Sequence, residues 1–344
     1  MKTIVGVDLA KNIIQLCVVK DSKIVSNNAL SIAQFSSWLA MSQPVFIVFE
    51  SCATSNYWKQ VATDKGHDAN IISARLVSQI RQNQKTDKND ALAIVQASQL
   101  IDIKFINGKT FEQQELQSIM RMRELAVKYK VALRNQIEAL LGEFNIRVSS
   151  RKGGISGTVQ SVLEEADNGF CMPFREALDA TWQLYLQAVE TIALNDKLLA
   201  NAITVHPACK KLLALEGVST INAVNLYIAI GCGEAGTFKT GREASACIGL
   251  TPLQHSSGGK TKLGSIGKSV KNVSLRSYLV NGAMSVINQV NRREPRTKKE
   301  KWIKQLLERK SKKCVAVALA NKTVRTAFAL LTQGSEYKAE PLVA

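Results

Sequence analysis

The sequence predicts an α/β region at its amino-terminal end, followed by mostly helical regions. Over residues 1–100, short runs rich in Val and Ile alternate with helical patterns. Residues 110–145 and 160–204 carry mainly helical patterns. The chain has 344 residues and 46% hydrophobic content, enough for two or three domains with a sizeable core. We expect three domains, covering 1–108, 109–205 and 206–335.

The first hundred residues contain five strand candidates and four helix candidates. The predicted strands cover 3–8, 13–19, 23–28, 45–49 and 68–72, and the predicted helices cover 31–41, 53–65, 75–83 and a segment from about 87 onward. The first three strands follow one another closely, as in a meander, and the later strands alternate with helices. Asp8 and Glu50 each close an apolar strand. Because sites in open sheets form outside the carboxyl ends of strands, both acids are candidate site residues.

The middle of the chain is predicted to form a helical or coiled-coil spacer. We expect two long helices, with the glycine-rich sequence RKGGISG at 151–157 as a flexible joint between them. The pair would serve as a spacer or as a dimerisation arm.

The last third begins with a segment that resembles a helix-hairpin-helix. A predicted helix is followed by a tight turn at Gly217 and then by a second helix. The backbone amides of such a turn can hold a phosphate. A loop rich in Gly, Ser and Lys comes next and is predicted to lead into another helix.

The composition favours a polyanionic partner. The chain has 45 Lys and Arg against 28 Asp and Glu, a net charge of +17, and 13 of these bases fall within 292–325. Nucleic acid is the first expectation and an anionic membrane surface the second. The seven cysteines form no CxxC pair, which argues against a zinc site and against a disulfide framework. No signal peptide is evident, so we expect a cytoplasmic protein.

Four acids are candidate metal ligands. Asp87 and Asp90 lie three residues apart at a predicted helix start, so both fall on one face. With Asp8 and Glu50 they offer the hard oxygen ligands that Mg²⁺ prefers. Two such ions can flank a phosphate during strand cleavage. Any one of these acids is more often a turn or cap residue, but four in this order favour a metal site.

The glycine-rich loop is the second candidate site. It holds five bases and no acid between Ser257 and Arg276, namely Lys260, Lys262, Lys268, Lys271 and Arg276. Such a loop can approach a phosphate backbone closely. A serine hydroxyl becomes a nucleophile when a base or a metal activates it. On the residues alone, a loop that only grips phosphate is the more common case.

The motifs that carry these residues resemble a known family. GVDLAK, FESCATSNYW and KTDKNDALAI resemble the amino-terminal DEDD domain of the insertion sequence family one-ten transposases, to which the Piv-type DNA invertases are related. The later run LLALEGV, FKTGREASACIGLTP, SSGGKTKLGSIGKS and SLRSYL resembles the carboxy-terminal transposase domain of that family. The resemblance covers roughly 1–100 and 207–285.

This resemblance implies an RNase-H-like (RuvC-like) fold for the first domain and a divalent metal, Mg²⁺, as cofactor. It places the metal ligands at Asp8, Glu50, Asp87 and Asp90. It places the catalytic serine at Ser257, with Ser256 as the close competitor. It also implies donor and target DNA, a non-coding bridge RNA that pairs with both, and a dimer or tetramer in which the acids of one subunit meet the serine of another.

The function expected from this resemblance is transposition or site-specific recombination of DNA. The leading alternative is a metal-dependent nuclease or Holliday-junction-type resolvase, in which the acids activate water. An actin-like sugar kinase or ATPase also has a first strand that ends in GxD. A nucleic-acid-binding protein without catalysis is the remaining alternative.

Overall fold

A computed structural model describes residues 3–150, 153–230, 238–267 and 272–342. The chain divides into two compact units. The first comprises Met1–Thr110 with Ile230–Lys239, and the second comprises Phe111–Ala229 with Thr240–Ala344. The prediction of an α/β region followed by mostly helical chain is confirmed. The three domain boundaries stay a prediction.

The first unit contains a five-stranded mixed sheet with helices. Its elements are β1 Thr3–Leu9, β2 Ile13–Lys20, β3 Lys23–Ser31, α1 Ile32–Met41, β4 Phe46–Glu50, α2 Ser55–Asp64, β5 Asp68–Ile72, α3 Ala74–Ile80 and α4 Asp87–Ser98. The strand order is β3-β2-β1-β4-β5. The first three strands form the predicted antiparallel meander, and β4 and β5 add in parallel.

Side chains of β1 are buried on both faces of the sheet. Val5 and Val7 of β1 belong to the cluster that contains Phe35 of α1 and Trp58 of α2. Ile4, one position earlier, packs on the other face with residues of α4. Because successive side chains point to opposite faces, the Val- and Ile-rich sequence of β1 suits a central strand covered on both sides.

The second unit begins with a helical arm. Its helices are α5 Phe111–Glu143, α6 Gly154–Glu164 and α7 Met172–Val205. The long helices α5 and α7 pack against each other. The predicted pair of long helices is present as α5 and α7, and a shorter helix, α6, precedes α7 because the chain breaks between them. Gly169 adopts a φ of +75° there, and Pro173 lies in the first turn of α7. Gly154 starts α6 instead of lying in a flexible joint.

Where the structure describes it, the rest of the second unit is helical apart from one hairpin. Its elements are α8 Pro207–Leu212, α9 Thr220–Ile230, α10 Gly241–Cys247, β6 Pro252–Ser257, β7 Lys260–Ile266, α11 Val273–Val290, α12 Lys298–Leu307 and α13 Lys312–Thr332. The predicted turn at Gly217 lies between α8 and α9, with a φ of +78°. Among the described helices, α13 alone has the length and apolar composition of a membrane span, but it packs against α10, α11 and α12 like a core helix.

Candidate functional site

Asp8 and Glu50 lie side by side at one edge of the sheet. Strands β1 and β4 are parallel neighbours, with Val7 opposite Phe49. The residues that follow this pair are Asp8 and Glu50, so the two carboxylates occupy matching positions at the strand ends. Both residues are partly buried.

Helix α4 supplies the other two acids from its first turn. The Thr86 hydroxyl caps the helix by accepting a hydrogen bond from the Asn89 amide at 3.3 Å. Asp87 is the first residue of the helix, and Asp90 follows one turn later. Asp90 is buried, with 8% of its surface exposed.

A glycine in β1 lets α4 approach the sheet. A Cβ atom on Gly6 would lie 2.4 Å from the carbonyl oxygen of Ala91 and 2.7 Å from a methyl group of Val95. Only a residue without a side chain fits there. Since Gly6 precedes Asp8 by two residues, this close packing positions the start of α4 relative to the end of β1.

The electrostatics show that the four acids converge. Burial raises the pKa of Asp8 above its ordinary value, and the charges of Asp90 and Asp87 raise it further. Burial also raises the pKa of Glu50, with added repulsion from Asp8 and Asp90. Like charges perturb one another in this way only at short range in partly buried surroundings. The structure therefore brings the four predicted acids into one neighbourhood.

Two bases that the sequence reasoning missed lie at the acids. The Arg81 Nη1 atom donates a hydrogen bond to Asp90 Oδ1 at 2.6 Å. Its charge and that of Lys85 lower the pKa of Glu50 and partly offset the repulsion among the acids, and Lys85 does the same for Asp8. The only signal in the sequence was their place in the basic segment RQNQK directly before the paired aspartates.

The donor set suits a hard divalent cation such as Mg²⁺, which prefers carboxylate oxygens and retains several waters. Within the described residues, however, no group of three or more His, Cys, Asp or Glu side chains is already gathered around one point in metal-binding geometry. The four carboxylates lie near the carboxyl ends of β1 and β4, but they do not surround a common point. Binding a cation there therefore requires the side chains to turn toward a common centre.

Ser257 lies beside the turn of an exposed β-hairpin, in a segment for which the sequence predicts a loop. Ser257 pairs with Lys260, and the two residues between them, Gly258 and Gly259, have φ values of +55° and +75°. Positive φ at both positions is what the tight two-residue turn of a hairpin requires, and Gly-Gly supplies it. Ser256 pairs with Thr261 on the next rung. Both serines are exposed.

The predicted nucleic-acid-binding bases have different surroundings. Lys260 and Lys262 are exposed on β7. Arg276 is half-buried, and its Nη1 donates hydrogen bonds to the carbonyl oxygens of Gly267 at 2.5 Å and Gly249 at 3.3 Å. Arg276 therefore ties the end of the hairpin to α11. Lys268 and Lys271 lie outside the described residues.

Comparison with known proteins identifies the class of this chain as transposases. A DEDD transposase family matches residues 5–146. A second family, described as the IS116/IS110/IS902 transposases, matches residues 209–300. These two matches contain the four acids and the serine hairpin, respectively.

Similar proteins match along almost the whole chain. The transposase for insertion sequence element IS1111A of Coxiella burnetii is 31% identical over 97% of this chain and 91% of its own length. A probable family 20 transposase of Pseudomonas aeruginosa is 32% identical over 97% of this chain and 98% of its own length. A pilin gene-inverting protein of Moraxella bovis is 23% identical over 98% of each. The chain belongs to the IS110 family of insertion-sequence transposases and is an enzyme.

Proposed function

We propose that this transposase cuts and rejoins DNA with Ser257 as nucleophile, next to a Mg²⁺ site formed by Asp8, Glu50, Asp87 and Asp90. The observation that carries this proposal is that β1, β4 and α4 supply four neighbouring carboxylates. Burial and the charges of Asp90 and Asp87 raise the pKa of Asp8, and burial and the charges of Asp8 and Asp90 raise the pKa of Glu50. A protein with net charge +17 keeps such a cluster at a cost in stability. The strand order and directions support an RNase-H-like fold for this unit.

The proposed reaction starts at the Ser257 hydroxyl. The Oγ atom gives up its proton and attacks a DNA phosphorus atom, which forms an Oγ–P bond and breaks the P–O3′ bond. The departing 3′ oxygen takes up a proton and leaves as a free hydroxyl. A 3′ hydroxyl of the partner strand then attacks the phosphoserine, which restores the phosphodiester and releases Ser257. Because each bond broken is replaced by an equivalent ester, the reaction needs no outside energy source.

The acids and the hairpin have separate tasks in this proposal. Bound Mg²⁺ would supply charge stabilisation for the phosphate and would lower the pKa of the hydroxyl. Asp8, Glu50, Asp87 and Asp90 would hold it. Arg276 would orient the hairpin through its hydrogen bonds to Gly249 and Gly267.

The proposed partners are donor DNA, target DNA and a non-coding guide RNA, in a bacterial cytosol or nucleoid. The exposed lysines Lys260 and Lys262, together with Lys268 and Lys271, would bind phosphates and would make no sequence-specific contact with the nucleobases. Sequence would then be chosen by base pairing with the RNA. A dimer or tetramer would bring the acids of one subunit to the serine of another. The pilin gene-inverting relative supports recombination between defined sites as the outcome.

Two substitutions test the chemistry. We expect Ser257→Ala and Asp87→Ala each to abolish strand joining while affinity for nucleic acid changes by less than about threefold, because neither removes a basic residue. Ser256→Ala is the matched control, since Ser256 is exposed on the same strand and we expect it to keep activity. If Ser257→Ala still joined strands and Ser256→Ala did not, the nucleophile would be Ser256.

Trapping a covalent intermediate separates recombination from the resolvase alternative. A DNA substrate that stalls after cleavage should leave one DNA strand attached to the wild-type chain and none attached to Ser257→Ala. A resolvase that activates water would cut this DNA and leave no protein attached. Cleavage without any adduct would therefore favour hydrolysis.

A further inference from the structure

The second unit contains an open cavity away from both proposed catalytic motifs. It has a volume of about 520 Å³ and lies between α5, the turn before α9, and α11. Its polar lining residues are Arg123, Ser219, Asn222, Tyr278, Asn281 and Ser285. Among the described residues that line it there is no acid. The cavity therefore presents several hydrogen-bonding groups and one cation, Arg123, whose charge is paired with Asp196 behind the wall.

Two glycines bring the walls of this cavity together. A Cβ atom on Gly282 of α11 would lie 2.1 Å from the carbonyl oxygen of Gly217. The turn and the helix thus meet backbone to backbone, which no other residue type permits. Tyr278, Asn281 and Ser285 share the face of α11 that carries Gly282, because they recur at helical spacing. The close contact therefore sets this polar face against the start of α9.

The donors of the cavity are fixed by their surroundings. Arg123 forms two hydrogen bonds with Asp196, and although burial alone would lower the pKa of its guanidinium, Asp196 raises that pKa above its ordinary value. Burial raises the pKa of Tyr278, so its phenol keeps its proton at neutral pH. Arg123 is also hydrogen-bonded to Tyr278. Because a guanidinium only donates, the phenol oxygen is the acceptor, and the phenol's own hydrogen stays available to the cavity.

Asn222 provides an independent sign that the cavity takes a ligand. The residue is 4% exposed, and its Nδ2 atom donates to the carbonyl oxygens of Gly217 at 3.2 Å and Tyr278 at 3.4 Å. Within the part of the chain that the structure describes, its Oδ1 atom has no hydrogen-bond partner. An unpaired buried acceptor costs free energy until a donor reaches it. Because this oxygen has less than 1 Å² of accessible surface, a hydroxyl or a water in the cavity supplies that donor only if the surrounding wall shifts.

We propose that this cavity binds one nucleotide of a nucleic-acid backbone, with the phosphate facing Arg123, Tyr278 and the amino-terminal end of α9. Cations, hydroxyls and helix amides are the groups that hold phosphates in proteins. The volume falls within the range of small-molecule sites, so the cavity admits more than an isolated phosphate. The inference rests on the proposed function only for its choice of nucleic acid as the polyanion.

A matched pair of isosteric substitutions tests the cavity. Asn281→Asp places a carboxylate in its lining, whereas Asn288→Asp makes the same change at another exposed position of α11 that does not line it. Binding of labelled single-stranded DNA and RNA oligonucleotides of about 20 nucleotides would be measured over a range of salt concentrations. Using full-length protein in a Ser257→Ala background keeps catalysis out of the measurement. Melting temperatures would verify that each variant is folded.

We expect Asn281→Asp to weaken binding about tenfold and to reduce the salt slope by about one, because one phosphate contact is lost. We expect Asn288→Asp to change the affinity by less than about twofold. A selective loss with DNA would assign the cavity to DNA, and a selective loss with RNA would assign it to the guide. Equal effects of the two substitutions would overturn the inference, even if the Ser257 chemistry proved correct.

Discussion

At the scale of single residues, the acid cluster makes the stability of the folded chain depend on pH. The pKa values of Asp8 and Glu50 are raised in the folded state, so the folded state binds protons more tightly than the unfolded state does. Stability must then fall as pH rises through the ordinary carboxyl pKa, which is 3.8 for Asp8 and 4.5 for Glu50, toward the raised folded values. Above that pH range, ionisation of the cluster lowers the free energy of unfolding by its full amount.

We predict that Asp8→Asn stabilises the chain at pH 7 in the presence of a chelator. The substitution removes one charge from a partly buried group of like charges, so the melting temperature should rise by about 2 °C. The gain should shrink as pH falls toward 4, because the wild-type carboxyls then take up protons. Thermal melting followed by circular dichroism at several pH values measures the difference.

The control for this change is Asp64→Asn, which neutralises an exposed acid near the end of α2. We expect it to alter the melting temperature by less than 1 °C at any pH, as is common for exposed surface charges. A lower melting temperature for Asp8→Asn at pH 7 would mean that attraction to Lys85 outweighs repulsion within the cluster.

The Arg81–Asp90 pair shows why the sequence predicts the four acids of the candidate site and misses the basic residues beside them. An acid at the end of an apolar strand differs from the hydrophobic residues before it, so the local sequence alone indicates it. The guanidinium of Arg81 reaches Asp90 because the chain turns between α3 and α4, and no spacing rule encodes that turn. Such a pairing is visible only once both helices are packed on the sheet.

At the scale of secondary-structure elements, Gly6 decides how closely α4 packs on β1. We predict that Gly6→Ala destabilises the first unit by about 1–3 kcal/mol, because its methyl group would overlap the Ala91 carbonyl and Val95. The displacement should also separate Asp87 and Asp90 from Asp8 and lower strand-joining activity. Urea denaturation and a recombination assay measure the two effects.

Gly142→Ala on α5 is the matched control for this prediction. A Cβ atom at Gly142 meets no other atom within 4 Å, so alanine should be neutral or should stabilise the helix by about 0.5–1 kcal/mol. If Gly6→Ala unfolded at the same urea concentration as wild type, the packing of α4 on β1 would not depend on this glycine.

Most strands and helices of the first unit follow from the sequence because their apolar runs are long enough to specify a buried element. Residues 13–19, for example, predicted a strand that the structure extends by one residue. The hairpin at Pro252–Ile266 was missed because nearly every residue in it is exposed, so hydrophobic alternation carried no signal. Its Gly-Gly turn was the one usable clue.

At the scale of the whole molecule, the acids and Ser257 belong to different compact units of the chain. The proposed chemistry requires them to meet, either within one subunit or between two. Neither the charge pattern nor the strand order distinguishes these arrangements, because both describe a single unit. An experiment that mixes two defective chains does distinguish them.

We predict that Asp87→Ala and Ser257→Ala chains, each inactive alone, regain activity when they are mixed and allowed to exchange subunits. In a mixed dimer with shared sites, the acids of the Ser257→Ala chain would serve the intact serine of the Asp87→Ala chain. Half of the dimers would be mixed and one of their two sites intact, so about a quarter of the sites should form the covalent DNA adduct. Gel analysis of adducts with differently sized chains would show DNA attached only to the Asp87→Ala chain. The control is the Asp87→Ala, Ser257→Ala double variant mixed with either single variant, which should form no adduct. Absence of adduct in the first mixture, despite demonstrated subunit exchange, would place the acids and the serine of each site in the same subunit.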